Sequence, residues 1–267
     1  MHQPTITLND EQITFFQREG YLALPAITTI AEVERLCGIY DWLFATKAGR
    51  ADGNHLDLSS TDEDDQAHLL PQILDPAKYA PELADTLFRS NAAAIAAQLL
   101  GPAAQAVGDH AIRKPAQTGV ETPWHQDQAY WDPTLDYDAL SIWIPLQEAT
   151  LENGCMQFVP GSHRQDVLPH HSIGHDPRII GLEVDDVEQV VAQAVHCPLP
   201  PGGATIHHCR TLHYTGPNLS DSPRRAYILS FRAPPQKRLE PRDFYWLTMQ
   251  RTKWQERVEA AHRARES

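Results

Sequence analysis

The 267-residue chain is 42% hydrophobic and carries a net charge of −13, from 22 basic and 35 acidic side chains. It is long enough for one large domain or two small ones, and apolar enough to bury a core, which excludes a disordered chain. Its acidity argues against nucleic acid or an anionic membrane as the main partner.

In chain order, residues 1–11 are polar and show no apolar signal segment, and no stretch approaches the roughly 18 apolar residues of a spanning helix. Residues 7–44 read as two helices around a short strand. Asn9 or Asp10 caps the first helix, Gly20-Tyr21-Leu22-Ala23-Leu24 forms the strand, and Thr28 or Thr29 caps the second. Val33, Leu36, Tyr40 and Leu43 recur at helical spacing. Residues 51–66 crowd Asp, Ser and Asn together and predict a loop. Residues 81–100, rich in Ala and Leu, predict another helix.

After Gly101 the texture changes. Short apolar runs at 106–112, 140–146, 156–159, 195–199, 204–208 and 226–231 alternate with Pro, Gly, Asn and Asp. Such spacing predicts a sandwich or barrel. The 21 prolines, above the roughly 5% of average usage, favour turns and short strands over a helical bundle. The acidic, His-containing segment 168–191 reads as an excursion from the sheet, and 243–267 as a charged helix. The expected fold is mainly β with flanking α-helices, a jelly roll of the cupin type. One domain spans 1–267: a largely helical part over 1–100, a β core over 101–235 with inserted loops, and a C-terminal helix over 240–267.

Four cysteines (Cys37, Cys155, Cys197, Cys209) form no Cys-x-x-Cys pair, so neither a zinc ribbon nor a disulfide framework is indicated. A reducing, cytoplasmic setting follows as the expectation.

His125-Gln126-Asp127 is the most informative run. On a strand, residues two apart point to one face, so this His and carboxylate can reach one ion. A second His would complete a two-His, one-carboxylate set, which leaves coordination positions open and suits non-haem Fe(II). Candidates are His207, His208 and His213. His208 reads as a packed or surface residue, whereas His213 sits just before the turn Gly216-Pro217-Asn218. An isolated His-x-Asp among 14 histidines is weak evidence. Arg224, eleven residues beyond His213, strengthens it. A site of this kind needs a cation for the distal carboxylate of a dicarboxylate cosubstrate, which the planar guanidinium fork suits. Read alone, Arg224 or Arg225 could equally be a surface charge.

Four segments, in order and at similar spacing, together resemble the phytanoyl-CoA dioxygenase family. They are Trp124-His125-Gln126-Asp127, Leu151-Glu152-Asn153-Gly154-Cys155-Met156, Val159-Pro160-Gly161-Ser162-His163 and the stretch from His213 to Arg224. Gly20-Tyr21-Leu22 looks like that family's opening, so the resemblance covers roughly residues 8–231. It implies a double-stranded β-helix with flanking helices. It also implies Fe(II) held by His125, Asp127 and His213, with 2-oxoglutarate anchored by Arg224 and accompanied by Thr215 and Trp143. The implied enzyme is an Fe(II)/2-oxoglutarate-dependent dioxygenase using O2, with ascorbate as a supporting reductant. It would oxidise an unactivated C–H bond of a small molecule, such as a secondary metabolite, while 2-oxoglutarate becomes succinate and CO2. Related halogenases usually carry a small residue where Asp127 stands, which argues against halogenation. Hydroxylation leads, with ring closure, desaturation or oxidative bridging open. A non-catalytic cupin-like metal-binding protein is the alternative.

Tyr130 and Trp131 are candidates for a substrate wall, equally readable as core. Arg113 and Lys114 are expected at the active-site mouth or as a solvated pair, and His163 at the rim. Glu152-Asn153-Gly154 reads as a structural turn. Residues 51–66 and 168–191 stand where lids lie in the family, and their acidity disfavours a CoA thioester. A small-molecule partner is expected, without nucleic acid or membrane. Monomer and homodimer both stay open.

Overall fold

The computed structural model describes residues 2–63 and 65–266. Met1, Asp64 and Ser267, which belong to the expected termini and to the loop 51–66, lie outside the described residues. Six α-helices are present among the described residues: α1 (Asp10–Glu19), α2 (Ile30–Ala45), α3 (Leu87–Leu100), α4 (Glu188–Val191), α5 (Tyr245–Met249) and α6 (Lys253–Glu266). The strands are β1 (Tyr21–Leu24), β2 (His55–Asp57), β3 (Pro71–Leu74), β4 (Gln105–Lys114), β5 (Thr122–His125), β6 (Leu135–Asp136), β7 (Ala139–Pro145), β8 (Met156–Phe158), β9 (His170–Ser172), β10 (Leu182–Val184), β11 (Val195–Cys197), β12 (Ala204–His208), β13 (His213–Thr215), β14 (Arg224–Arg232) and β15 (Gln236–Lys237).

The caps are local chemistry. Asn9 accepts from Gln12 N while the Gln12 side chain accepts from Asn9 N, a reciprocal capping box. Thr29 caps α2 by accepting from Glu32 N. Glu32 in turn accepts from the backbone N–H groups of Leu87 and Phe88, which ties α2 to the start of α3.

A seven-stranded sheet in the order β1-β12-β7-β14-β4-β3-β2 faces a four-stranded sheet in the order β11-β8-β13-β5. The pairings are antiparallel. Alternation sorts the large sheet into two faces. Leu140, Ile142 and Ile144 of β7, Ile206 of β12 and Tyr227, Leu229 and Phe231 of β14 pack outward against α2 and α3. Ser141, Trp143, His207, Arg224 and Ile228 face inward and line a cavity between the sheets. Helices thus cover the outer face, so the inner face is left for a site.

The first hundred residues carry α1, α2 and α3 and also three short strands, β1, β2 and β3, which join the large sheet. One expectation is corrected. Residues 51–66 are not simply a loop, because β2 lies within them and pairs with β3. The excursion at 168–191 does form its own hairpin, β9 with β10. Among the described residues, no helix is long and apolar enough to cross a membrane.

Candidate active site

β5 and β13 lie side by side in the small sheet, with His125 paired to His213. That register joins residues 88 positions apart. Their rings stand 4.1 Å apart. β5 ends at His125, and Asp127 opens a one-turn 3-10 segment rather than continuing the strand. Gln126 between them keeps extended backbone angles, so the His-x-Asp pair still converges. The side-chain amide of Gln126 donates to Arg210 O and its oxygen accepts from Leu168 N, which locks that backbone.

His125, Asp127 and His213 each present a ligand atom, all within 4.8 Å of one another. His213 Nε2 is 3.4 Å and His125 Nε2 4.0 Å from Asp127 Oδ1. His125 Nδ1 donates to Pro123 O at 2.7 Å and His213 Nδ1 to Thr211 O at 2.9 Å. A carbonyl can only accept, so Nδ1 carries the proton in both rings and Nε2 turns its lone pair toward the shared point. Burial beside His213 pushes His125 down to about 3. Burial alone would raise Asp127, but His213 and His207 hold it well below the usual carboxylate range. The set is therefore a neutral imidazole with a carboxylate anion, the protonation state in which such groups bind a metal.

Arg224 is 1% exposed, and among the described residues no carboxylate pairs with it. Burial lowers it to about 10, still charged at neutral pH. Its Nη2 reaches Thr215 Oγ1 at 3.4 Å, and the guanidinium sits 5.4 Å from the centre of the Trp143 ring. Among the described residues, Nε has no hydrogen-bond partner. Burying a charge unpaired costs on the order of several kcal/mol, so this group fits an anionic ligand arriving in the cavity. The triad offers open positions on a metal, and Arg224 offers a charge partner farther in. Together they match a keto acid bound at one end and salt-bridged at the other. The donor set thus suits Fe(II) and 2-oxoglutarate.

The cavity holds about 430 Å³ and is lined by the triad, Thr215, Trp143 and Arg224, and also by Tyr130 and Trp131. The Tyr130 hydroxyl accepts from Leu182 N, so this ring also fastens the β9–β10 hairpin.

Three other expectations fail on placement. Lys114 is fully buried and donates to Thr215 O and Gly216 O at 3.0 and 2.7 Å; it braces the end of β13 instead of facing a mouth. Arg113 shares the outward face of β4 with Asp109 and Ala111, away from the cavity. His163 is buried beneath α1 and β1, with Nε2 3.1 Å from Gln17 O, and does not reach the rim. His208 packs beside His163, whereas His207 points into the cavity. Arg225 pairs with Asp41 on the helix side, which leaves Arg224 as the cavity cation. Asn153 and Gly154 are structural. Asn153 accepts from Thr150 N, and a Cβ at Gly154, where φ is +83°, would meet Gly216 O at 2.3 Å.

Several wall residues carry no motif. Ser141 is a lone hydroxyl inside the apolar run of β7; that interruption is the only signal of it. Leu56, Leu70, Leu74, Leu182 and Trp254 close the outer part of the cavity.

The model of the family described as phytanoyl-CoA dioxygenase (PhyH) matches residues 16–226. A probable alpha-ketoglutarate-dependent hypophosphite dioxygenase of Stutzerimonas stutzeri is 27% identical over 226 residues, 84% of this chain and 78% of that protein. An ectoine dioxygenase of Sphingopyxis alaskensis is 26% identical over 239 residues, 85% of this chain and 76% of that protein. Among solved structures, EvdO2 of Micromonospora carbonacea var. aurantiaca, complexed with 2-oxoglutarate, is 40% identical. It covers 92% of this chain and 99% of its own, with a TM-score of 0.77.

Proposed function

The chain belongs to the phytanoyl-CoA dioxygenase family and is a non-haem Fe(II)/2-oxoglutarate-dependent oxygenase, and we propose that its substrate is a small, uncharged organic molecule oxidised at a C–H bond. The observation that carries the substrate reading is the cavity's outer wall. Leu56, Leu70, Leu74, Leu182, Trp131 and Trp254 make it apolar and aromatic, and among the described residues Arg232 is the one charged side chain outside the triad and Arg224 that lines it. A charged substrate would be stripped of water there with little to replace it. Such a wall instead gains from covering a ring or alkyl surface, while a few polar groups fix orientation. His110, Gln72 and Ser230 are placed on the inner sheet to do so.

When bound, iron would activate dioxygen, one atom of which would enter succinate as 2-oxoglutarate loses CO2, leaving the other to oxidise the substrate. The protein's own share is placement. His125, Asp127 and His213 would hold the ion with both rings fixed by backbone carbonyls. Arg224 and Thr215 would receive the distal carboxylate of the keto acid, with the Trp143 ring beside the guanidinium. The apolar wall keeps water from the oxidised carbon. Hydroxylation of that carbon is the outcome proposed. The four cysteines are free, which supports a reducing, cytoplasmic workplace.

The deciding experiment is anaerobic addition of 2-oxoglutarate to the Fe(II) protein. A weak visible charge-transfer band is expected. Its absence, with iron bound, would identify a cupin-like metal binder instead. Succinate release stimulated by neutral cyclic molecules and not by anionic analogues tests the substrate class. Preference for an anion would overturn it.

A further inference from the structure

The two oxygens of Asp127 have different surroundings. Oδ1 faces the ring nitrogens of His213 and His125. Oδ2 faces the large sheet, where it accepts from Ser141 Oγ at 2.7 Å and stands 3.3 Å from His207 Nε2. Ser141 and His207 are direct partners across β7 and β12. Two adjacent strands therefore bring one polar side-chain atom each to the same carboxylate oxygen.

His207 is 3% exposed. Its ring lies 4.3 Å from that of His213 and 5.5 Å from that of Phe158. Among the described residues, neither ring nitrogen completes a well-aligned hydrogen bond. An imidazole buried among rings loses its hydration, and only a nearby acceptor restores the loss. Oδ2 is that acceptor, and being part of an anion it can only accept. Nε2 is thus the protonated nitrogen, the reverse of the arrangement in His125 and His213. His207 is therefore set up as a donor to the carboxylate and not as a further ligand.

We propose that His207 is a positioning residue which, with Ser141, holds Oδ2 so that Asp127 offers a metal ion Oδ1 alone. The inference rests on the Fe(II)/2-oxoglutarate reading. A carboxylate giving both oxygens would take a position that the keto acid or dioxygen needs. Two donors on Oδ2 oppose that swing, and they also fix the direction from which Oδ1 approaches.

Fe(II) affinity is to be measured without oxygen for the wild type, His207→Phe, His207→Gln, Ser141→Ala and the Ser141→Ala/His207→Phe double variant. The 2-oxoglutarate charge-transfer band and the melting temperature of each metal-free protein accompany it. Phe keeps a ring against Phe158 but has no donor; Gln can place an N–H near the position of Nε2. His207→Phe is expected to bind Fe(II) about 10–100-fold more weakly, with a displaced band, the loss typical of removing a partner from a metal ligand. His207→Gln recovers most of the affinity. The double variant loses less or more than the sum of its parts, because both donors act on one oxygen. Wild-type affinity and an unmoved band in His207→Phe overturn the inference. Equal weakening in Phe and Gln, additive with Ser141→Ala, also overturns it, since only packing would then be at stake. If His207→Phe does not fold, His207→Leu takes its place under the same criteria. A wild type that binds Fe(II) but gives no band overturns the enzyme reading and this inference together. A wild-type band with an unaffected His207→Phe overturns the inference alone.

Discussion

At the inner end of the cavity, the walls are strands of the two sheets, and nearly every polar group there has a stated task. His125 and His213 are neighbours in one register, Ser141 and His207 in another, and Arg224 sits opposite Lys114 in a third. At the outer end, the walls come from β2, β3, the segment around Ile173–Leu182 and Trp254 of α6, and they are almost wholly apolar. The family match ends at residue 226, so α5 and α6 lie beyond it. Ladder hydrogen bonds hold the inner end rigid to the precision that metal chemistry demands. The outer end is built from two short strands at one end of the large sheet and a tail, the parts of a fold that vary without disturbing its core. Reaction class and substrate choice are thereby separated in space.

The strongest test of that separation is Asp127→Ala. The remaining two imidazoles lose the one anionic ligand, so Fe(II) binding should fall by more than about 100-fold and succinate formation should vanish. The fold should hold, because the β5–β13 register is backbone-bonded. Metal titration and a melting curve check both halves. Turnover at wild-type rate would remove the triad from the inner end altogether. Next in size is Arg224→Ala. Truncating one side of a buried charged pair costs about 2–5 kcal/mol, or roughly 30-fold to several-thousand-fold in affinity. The 2-oxoglutarate affinity should weaken by that much while Fe(II) affinity stays within a few-fold. An unchanged 2-oxoglutarate affinity would mean that the inner end anchors its anion elsewhere.

The inner end is largely legible in the sequence. His125, Asp127, His213 and Arg224 carry chemistry that few residue types can supply, and their order along the chain is informative even when each alone is not. Ser141 and His207 were harder. In an apolar strand a lone hydroxyl reads as a packing detail, and of adjacent His207 and His208 only the strand's phase tells which faces inward. Phase also misled at Arg113 and Lys114. As neighbours on β4 they point to opposite faces, and Lys114 is buried because two carbonyl oxygens receive its ammonium. The outer end was mostly illegible. β2 and β3 have three and four residues, in a stretch crowded with Asp and Ser. Trp254 belongs to a helix whose charged residues suggest a solvated rod. Its role appears only once Nε1 donates to Gly53 O and the ring closes the cavity.

Trp254→Ala sharpens the comparison from the other side. Removing an aromatic anchor from a binding wall costs on the order of 1–2 kcal/mol. The substrate KM should therefore rise by about 10-fold, with Fe(II) affinity and the 2-oxoglutarate band unmoved. A moved band would show the two ends to be coupled.

The smallest effect is expected at the fastening of the tail, and it tests whether the outer end is a separable layer. Asp62, 4% exposed, accepts from Arg50 Nη1 at 2.6 Å and pairs with Arg257 Nη2 of α6. Burial next to Arg50 lowers Arg257 to about 10, and the Asp62 carboxylate contacts both cations. In Asp62→Asn those guanidinium groups face each other across a neutral amide. Both keep some contact with water, so the penalty is discounted to about 1–3 kcal/mol. The tail can release it by lifting α6, without opening either sheet. Hydrogen exchange should then speed up by about 10–100-fold in the amides of α6, with those of β7 and β14 unchanged. The KM for substrate should rise a few-fold, less than in Trp254→Ala, because the ring still closes the cavity whenever the tail is seated. Equal acceleration in α6 and β14 would show that the tail and the sheet open as one unit.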